Sequence, residues 1–252
     1  QLYYGSNNNA YIRYAFGKPS VFGQWRNLSN PLLNLAMFQR IGVIGDSYAS
    51  GWLNVSGTAK DWYNISWIQQ MARKNGITGI NFSTGGLTTR TWITNANGLT
   101  KLNNESACDL YYFALGINDA NVLGSNYLGT ISDCTSNPAN NPDTFYGNTD
   151  KILYYVKQKA PNALLLVMTM AENSGLYKDF NKAIADIATL RNYPLLTQYS
   201  NAFFNSDLYK YYKVGGHPTV QIYNGMSVAI EQMTIQYIEQ NPSKFNSIYP
   251  TA

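Results

Sequence analysis

The sequence has few charged residues, and this scarcity argues against one class of partner. Only 13% of the 252 residues are Asp, Glu, Lys or Arg, about half the share typical of soluble domains. The net charge is a modest +4. No cluster of Lys and Arg marks a surface for nucleic acid, so we expect no nucleic-acid partner. Polarity comes instead from Asn, Ser, Thr, Gln and 21 Tyr. This composition favours an extracellular, cell-surface or virion (tail) protein that contacts sugars.

Metal ligands and long apolar runs are also scarce. The chain has two cysteines, Cys108 and Cys134, and one histidine. These are too few for a zinc site, and we expect neither a metal nor a cofactor. The cysteines either form a disulfide in an oxidising compartment or stay unpaired, and the sequence leaves both open. No apolar run reaches the roughly 18 residues that a membrane-spanning helix needs, so we expect no membrane span.

The two ends of the chain differ in character. Residues 1–38 are rich in Tyr, Asn and Gly and have no helical period. We interpret them as an N-terminal extension or a lead-in from a preceding region. Because the first residue is Gln rather than Met, we expect a processed chain or a piece of a larger polypeptide or virion assembly. Residues 39–252 are predicted to form one domain, a length that suits a single large core.

Strand-like and helix-like stretches alternate from residue 39 onward. The predicted strands are RIGVIG, ITGINFS, DLYYFALG, ALLLVMTM and YPLLTQY, and the clearest predicted helices cover residues 64–76, 174–190 and 223–237. Alternation of this kind predicts an α/β fold in which helices cover both faces of a mostly parallel sheet. We therefore expect three α/β/α layers around five strands.

Small polar clusters follow the predicted strands. Ser47 ends the stretch IGVIGDS, Gly86 lies in NFSTGGLTT, and Asn118 lies in GIND. The histidine, His217, stands in GGHPT just before the last helix. Acyl transfer needs these groups: a serine, an imidazole that takes its proton, and donors for the oxyanion from a glycine N–H and an Asn amide.

The order of these four residues in their local contexts resembles the SGNH hydrolases, also called the GDSL esterase/lipase family, over about residues 40–240. This resemblance implies a flavodoxin-like SGNH hydrolase fold and ester hydrolysis through an acyl-serine. It assigns Ser47 as nucleophile and His217 as base. It assigns Gly86 and Asn118 to the oxyanion site.

One position departs from the family pattern. The family usually has an Asp three residues before the histidine, and here that residue is Val214. A valine neither orients an imidazole nor stabilises its charge. Three alternatives follow: a backbone carbonyl orients His217, a displaced carboxylate such as Asp207 does so, or the site is degenerate and the protein only binds its ligand. The surviving residues favour the first two alternatives.

Three aromatic residues lie beside the motifs in sequence. Tyr48, Trp52 and Trp92 either line a sugar or acyl site or pack in the core, and the sequence does not separate the two. We expect a serine esterase that removes small acyl groups, above all O-acetyl, from a carbohydrate such as a bacterial envelope glycan. The alternative is a glycan-binding or adhesion module without activity on the same fold.

Overall fold

A computed structural model describes residues 35–55 and 57–248, with side chains to residue 245, and the backbone of short strands between residues 2 and 27. Contacts divide the chain into two units. One consists of Gln1–Met37 and Ile235–Ala252, and the other of Phe38–Thr234. The assignment of residues 1–38 to an extension of a longer polypeptide stays a prediction.

The first unit contains short antiparallel strands. They are β1 (Leu2–Tyr4), β2 (Ala10–Ile12), β3 (Ala15–Phe16), β4 (Val21–Phe22) and β5 (Arg26–Asn27). Strand β2 pairs with β1 and β5, and β3 pairs with β4. Near the other end of the chain, Tyr237 meets the edge of Phe245 with ring centroids 6.3 Å apart.

The second unit holds a parallel sheet. Its strands and those of a small hairpin are β6 (Arg40–Gly45), β7 (Trp52–Val55), β8 (Thr58–Asp61), β9 (Thr78–Ser83), β10 (Leu110–Ala114), β11 (Leu164–Met168) and β12 (Leu195–Leu196). The sheet order is β12-β11-β10-β6-β9, and every neighbouring pair is parallel. This is the flavodoxin-like order, and it confirms the predicted five-stranded α/β fold.

Helices connect and cover these strands. They are α1 (Ser47–Ser50), α2 (Trp67–Asn75), α3 (Thr89–Trp92), α4 (Lys101–Asn104), α5 (Phe145–Lys159), α6 (Gly175–Leu190), α7 (Ala202–Asn205), α8 (Asp207–Tyr211) and α9 (Val220–Gln240). Helix α2 ends at Gly76, which has φ +67°. A left-handed residue after a helix is best tolerated by glycine, so the sequence marks this end. No helix among residues 35–55 and 57–248 is long and apolar enough to cross a membrane.

The core explains why the strands are continuous apolar runs. Strand β10 (LYYFA) is buried in its first four residues, and β11 (LLLVM) in its last four. Buried parallel strands have apolar residues on both faces because helices cover both. Large side chains fill the space between layers, among them Trp67, Trp92 and Phe180. Cys108 and Cys134 are free thiols, which settles the alternative that the sequence left open.

The sheet register brings the candidate residues to one edge. Gly45, the last residue of β6, pairs with Ser83 at the end of β9 and with Ala114 at the end of β10. The three strands therefore end level, and the loops that follow them lie side by side. The strand order reverses between β6 and β10, the position where open α/β sheets form their ligand crevice.

Candidate active site

Ser47 occupies the first turn of a helix that is one turn long. The carboxylate of Asp46 accepts a hydrogen bond from the backbone N–H of Tyr48 at 2.9 Å and so caps α1. The helix stops at Gly51, which has φ +78°. A side chain at Gly51 would also collide with the backbone of Trp62. Ser47 is thus displayed directly beyond a buried strand in a conformation fixed at both ends.

His217 stands on a two-residue reverse turn. Val214 and His217 exchange backbone hydrogen bonds of 2.9 and 3.1 Å. Gly215 and Gly216 between them have φ +56° and +76°. Positive φ at both central residues defines a type I′ turn, which strongly favours glycine. The GG dipeptide before the histidine is therefore a structural requirement of the turn.

The imidazole bridges the serine and a backbone carbonyl. His217 Nε2 lies 3.0 Å from Ser47 Oγ, and Nδ1 lies 2.9 Å from the Gly215 carbonyl oxygen. Since a carbonyl only accepts, the proton belongs on Nδ1, and the lone pair of Nε2 faces the serine hydroxyl. This is the tautomer that a general base for Ser47 requires.

The structure distinguishes the three alternatives for the missing acid. The Gly215 carbonyl is the partner of Nδ1, as in the first alternative. Asp207, the candidate for the second, is exposed and makes no hydrogen bond to His217 in the part of the chain that the structure describes. Val214 is 53% exposed. The geometry therefore supplies an oriented Ser–His pair without a carboxylate.

Aromatic side chains fix the histidine turn from two sides. The Trp52 ring lies against the imidazole with centroids 4.1 Å apart, and the Tyr48 ring lies 5.7 Å away. The Tyr48 hydroxyl also donates to the Gly216 carbonyl at 2.6 Å. Behind them, the Tyr223 hydroxyl lies 3.1 Å from the Ser47 carbonyl and 3.0 Å from that of Trp52. Packing and hydrogen bonds thus hold the imidazole in place, a task that the catalytic Asp performs in the usual family pattern.

The two predicted oxyanion donors come from neighbouring loops. Gly86 is exposed and has φ +80°, with open space where a Cβ would lie. Glycine is favoured here by the backbone conformation rather than by crowding. Asn118 donates through Nδ2 to the Leu87 carbonyl at 2.9 Å, which ties the two loops together. An amide nitrogen has two protons, so the second N–H of Asn118 stays available for a substrate.

The hairpin β7–β8 supports both halves of the site. Trp52 and Asp61 are register partners in this hairpin. Trp52 packs on His217, as described, whereas the Asp61 carboxylate accepts from the Gly85 N–H at 3.0 Å and from the Ser50 hydroxyl. One short element after the nucleophile therefore braces the histidine and the glycine loop together.

Two buried carboxyl groups lie behind the motifs. Asp119 is fully buried and accepts from the N–H and the hydroxyl of Thr89 at 2.9 and 2.6 Å. Burial raises the pKa of Asp119 to about 6. Burial also raises the pKa of Asp46 to about 7, with a further contribution from the charge of Asp119. One oxygen of each carboxyl has no hydrogen-bond partner in the described part of the chain.

These raised pKa values predict that stability falls as pH increases. The folded state binds the Asp46 proton more tightly than the unfolded chain, whose carboxyls titrate near 3.9. The stabilisation is complete below that value and is lost as pH rises through about 7. Asp46→Asn removes this titration and retains a cap acceptor for Tyr48. We expect the variant to gain stability relative to wild type between pH 4 and 8, by at most ~4 kcal/mol.

Thermal or urea unfolding across this pH range measures the effect. The informative quantity is the slope of the difference between variant and parent, because the new amide adds a contribution that does not titrate. Asp207→Asn, at an exposed carboxyl, is the matched control and should leave the slope unchanged. A parallel pair of pH profiles for Asp46→Asn and wild type would contradict the prediction.

A cleft of about 850 Å³ opens beside the Ser–His pair. Ser47, Tyr48, Asn118 and His217 line it, so the structure brings these predicted residues together at one surface. Gly86 lies in the adjacent loop and is not among the lining residues. Other residues contribute amides, rings and charges, namely Asn121, Glu172, Asn173, Tyr177, Tyr199, Asn205, Lys210, Tyr211 and Lys213.

The three aromatic candidates lie in different places in the structure. Tyr48 lines the cleft. Trp52 packs against His217 and does not line it. Trp92 is not a substrate-binding residue, which corrects that candidate assignment. It is fully buried, and its indole N–H donates to the Phe82 carbonyl at 2.7 Å, so it packs in the core and offers no face to a substrate.

Sequence reasoning missed the cleft residues that follow β11 and precede His217. Glu172 and Asn173 come just after β11, and the rule that ligands bind at strand ends would have pointed to them. Lys213 lies four residues before His217, and no motif marked it.

Comparison with known proteins identifies the family and the fold of the chain. The model of the GDSL-like Lipase/Acylhydrolase family matches residues 43–224. No curated protein matches the chain in sequence. Among solved structures, a GDSL-like lipase from Bacteroides uniformis is similar with a TM-score of 0.58 and 19% identity, covering 77% of this chain and 94% of that one.

Two further structures have the same fold. The lipase/acylhydrolase from Enterococcus faecalis has a TM-score of 0.54 and 16% identity, and it covers 79% of this chain and 96% of its own. A family 3 carbohydrate esterase from Clostridium thermocellum has a TM-score of 0.53 and 13% identity, with coverage of 80% and 97%. The chain thus has the same α/β fold as these lipases and esterases. It belongs to the GDSL-like lipase/acylhydrolase family, as the order of its motifs predicted.

Proposed function

We propose that the protein is a serine esterase that removes small acyl groups, above all O-acetyl, from a carbohydrate. The observation that carries the proposal is the 3.0 Å contact between Ser47 Oγ and His217 Nε2, with Nδ1 anchored on a carbonyl. A serine hydroxyl becomes a competent nucleophile when a neutral imidazole accepts its proton.

The reaction proceeds in two halves. His217 Nε2 takes the Ser47 proton while Oγ bonds to the ester carbonyl carbon, and the resulting oxyanion receives hydrogen bonds from Asn118 and the Gly86 N–H. The intermediate then breaks the bond to the sugar oxygen, which leaves with the proton from His217. Water repeats the sequence on the acyl-serine and releases the free acid and Ser47.

The lining of the cleft supports a sugar as the alcohol half of the ester. Amide side chains and tyrosine rings make up much of the wall, and these groups offer hydrogen bonds and flat apolar faces together. The carbohydrate esterase from Clostridium thermocellum adopts the same fold. An extracellular, cell-surface or virion location fits a glycan substrate and is part of this proposal.

A chromogenic ester series tests the activity. We expect hydrolysis of 4-nitrophenyl acetate, with kcat/KM falling from acetate to butyrate to octanoate. A fluorophosphonate should stop turnover and label Ser47, which mass spectrometry of the digested protein locates. Absence of both hydrolysis and labelling would overturn the esterase and favour a module that only binds glycans.

A further inference from the structure

We propose that the cleft takes an acidic glycan, with Lys213 and Lys210 receiving the carboxylate of a uronate residue. This inference rests on the proposed function for the glycan but concerns a binding group that catalysis does not use. It names the chemical class of the substrate: a polysaccharide with one negative charge on some or all of its sugars.

The first observation is the position of the Lys213 ammonium. Its Nζ lies 4.2 Å from the centroid of the Tyr209 ring and 5.3 Å from that of Tyr48. Tyr209 is buried, and Lys213 is half-buried, so the two rings fix a long side chain that would otherwise move freely. Both rings and the lysine line the same cleft as Ser47 and His217.

The second observation is that Lys213 forms no ion pair within the part of the chain that the structure describes. Ion pairs in the described part of the chain occupy other lysines and arginines, and neither Lys213 nor Lys210 is among them. Glu172 also lines the cleft, yet its carboxylate accepts from the Ser174 hydroxyl at 2.8 Å. Two lysines against one glutamate leave the lining with an excess positive charge.

The surroundings of Lys213 increase its need for an anion. Burial lowers the pKa of the Lys213 ammonium, whereas the charge of Glu172 acts in the opposite direction. A cation that has lost part of its water gains more from a bound carboxylate than one on an open surface. Lys213 lies next to the His217 turn in sequence, so a carboxylate held there belongs to a sugar near the reacting ester.

The charge balance favours a carboxylate over a phosphate. One excess positive charge matches the single charge of a uronate. A dianionic phosphate would be opposed by Glu172 in the same wall.

Binding of trigalacturonate, compared with its fully methyl-esterified form, tests the inference without relying on turnover. The two ligands share their sugars and linkages and differ in charge. Titration calorimetry at low salt should show the acid binding at least about tenfold more tightly than the ester, and the advantage should shrink as salt screens the charges.

Substitutions of the cleft lysines test whether the preference for the acid over the methyl ester arises in the cleft. Lys213→Gln should remove most of the preference, Lys213→Arg should retain it, and Lys210→Gln should reduce it by a smaller factor. Lys60→Gln is the matched control, because Lys60 also lies over an aromatic ring, 4.0 Å from that of Trp62, but does not line the cleft. It should bind trigalacturonate as the parent does.

The outcomes separate this inference from the esterase. Equal binding of acid and methyl ester, no binding of either up to 10 mM, or full preference in Lys213→Gln each overturns the acidic-glycan proposal. Hydrolysis of 4-nitrophenyl acetate is measured alongside for every variant, and that of the Lys60→Gln control should stay within about twofold of the parent. Charge-selective binding by a protein that never hydrolyses the acetate would overturn the esterase alone.

Discussion

Ser47→Ala will abolish ester hydrolysis and leave the fold intact. We expect kcat/KM for 4-nitrophenyl acetate to fall at least about a thousandfold, as for other serine nucleophiles, because Ser47 carries the acyl intermediate in the proposed mechanism. The Oγ atom makes a hydrogen bond to His217, so its loss costs stability on the order of 1 kcal/mol. The melting temperature should therefore shift by only a few degrees.

The assay pairs kinetics with unfolding. Purified Ser47→Ala and parent are compared for initial rates and for thermal melts under the same conditions. Ser125→Ala, at an exposed serine outside the cleft lining, is the control and should retain full activity. Turnover within tenfold of the parent by a folded Ser47→Ala protein would show that another residue is the nucleophile.

Asn118→Ala should lower kcat by roughly 10² to 10³ with a smaller change in KM. A donor that acts on the developing oxyanion contributes in the transition state, and removal of one such donor has this cost in serine hydrolases. The structure adds a second task, since Asn118 also donates to the Leu87 carbonyl in the loop that carries Gly86. Both contacts support the proposed oxyanion site, so the loss of either one lowers kcat.

The split between kcat and KM decides the role of Asn118. An increase in KM at constant kcat would make it a substrate-binding residue, contrary to the proposal. Asn104→Ala, at an exposed asparagine on α4, controls for the substitution itself and should change neither constant. A melt of each variant shows whether the loss of the Leu87 contact unfolds the loop region.

Much of the fold was predictable because buried parallel strands are continuous apolar stretches in the sequence. The stretches RIGVIG and ALLLVMTM are apolar on both faces, and the structure places β6 and β11 within them. A glycine after a helical pattern also predicts where the helix ends, as Gly76 does for α2. The motifs were predicted to share one edge of the sheet, and the level ends of β6, β9 and β10 place the Ser, Gly and Asn motifs there. The His217 turn joins them through its contact with Ser47.

Other features have no signature in the sequence. The hairpin β7–β8 consists of four-residue strands without strong alternation, so no pattern predicts it. The acceptor for His217 Nδ1 is a backbone oxygen, which every residue has and no motif reports. Trp92 illustrates a different limit, because an aromatic residue near a motif packs in the core or lines a site with the same local sequence.

The acceptor on Nδ1 belongs to the main chain, and this affects how the site withstands genetic change. A catalytic acid disappears with a single codon change, whereas the Gly215 carbonyl persists whatever residue stands at that position. The vulnerable property is the left-handed backbone of Gly215 and Gly216, which most other residues adopt only at a cost. A substitution at Val214 therefore leaves the acceptor in place, whereas a substitution at Gly215 or Gly216 strains the turn that positions it.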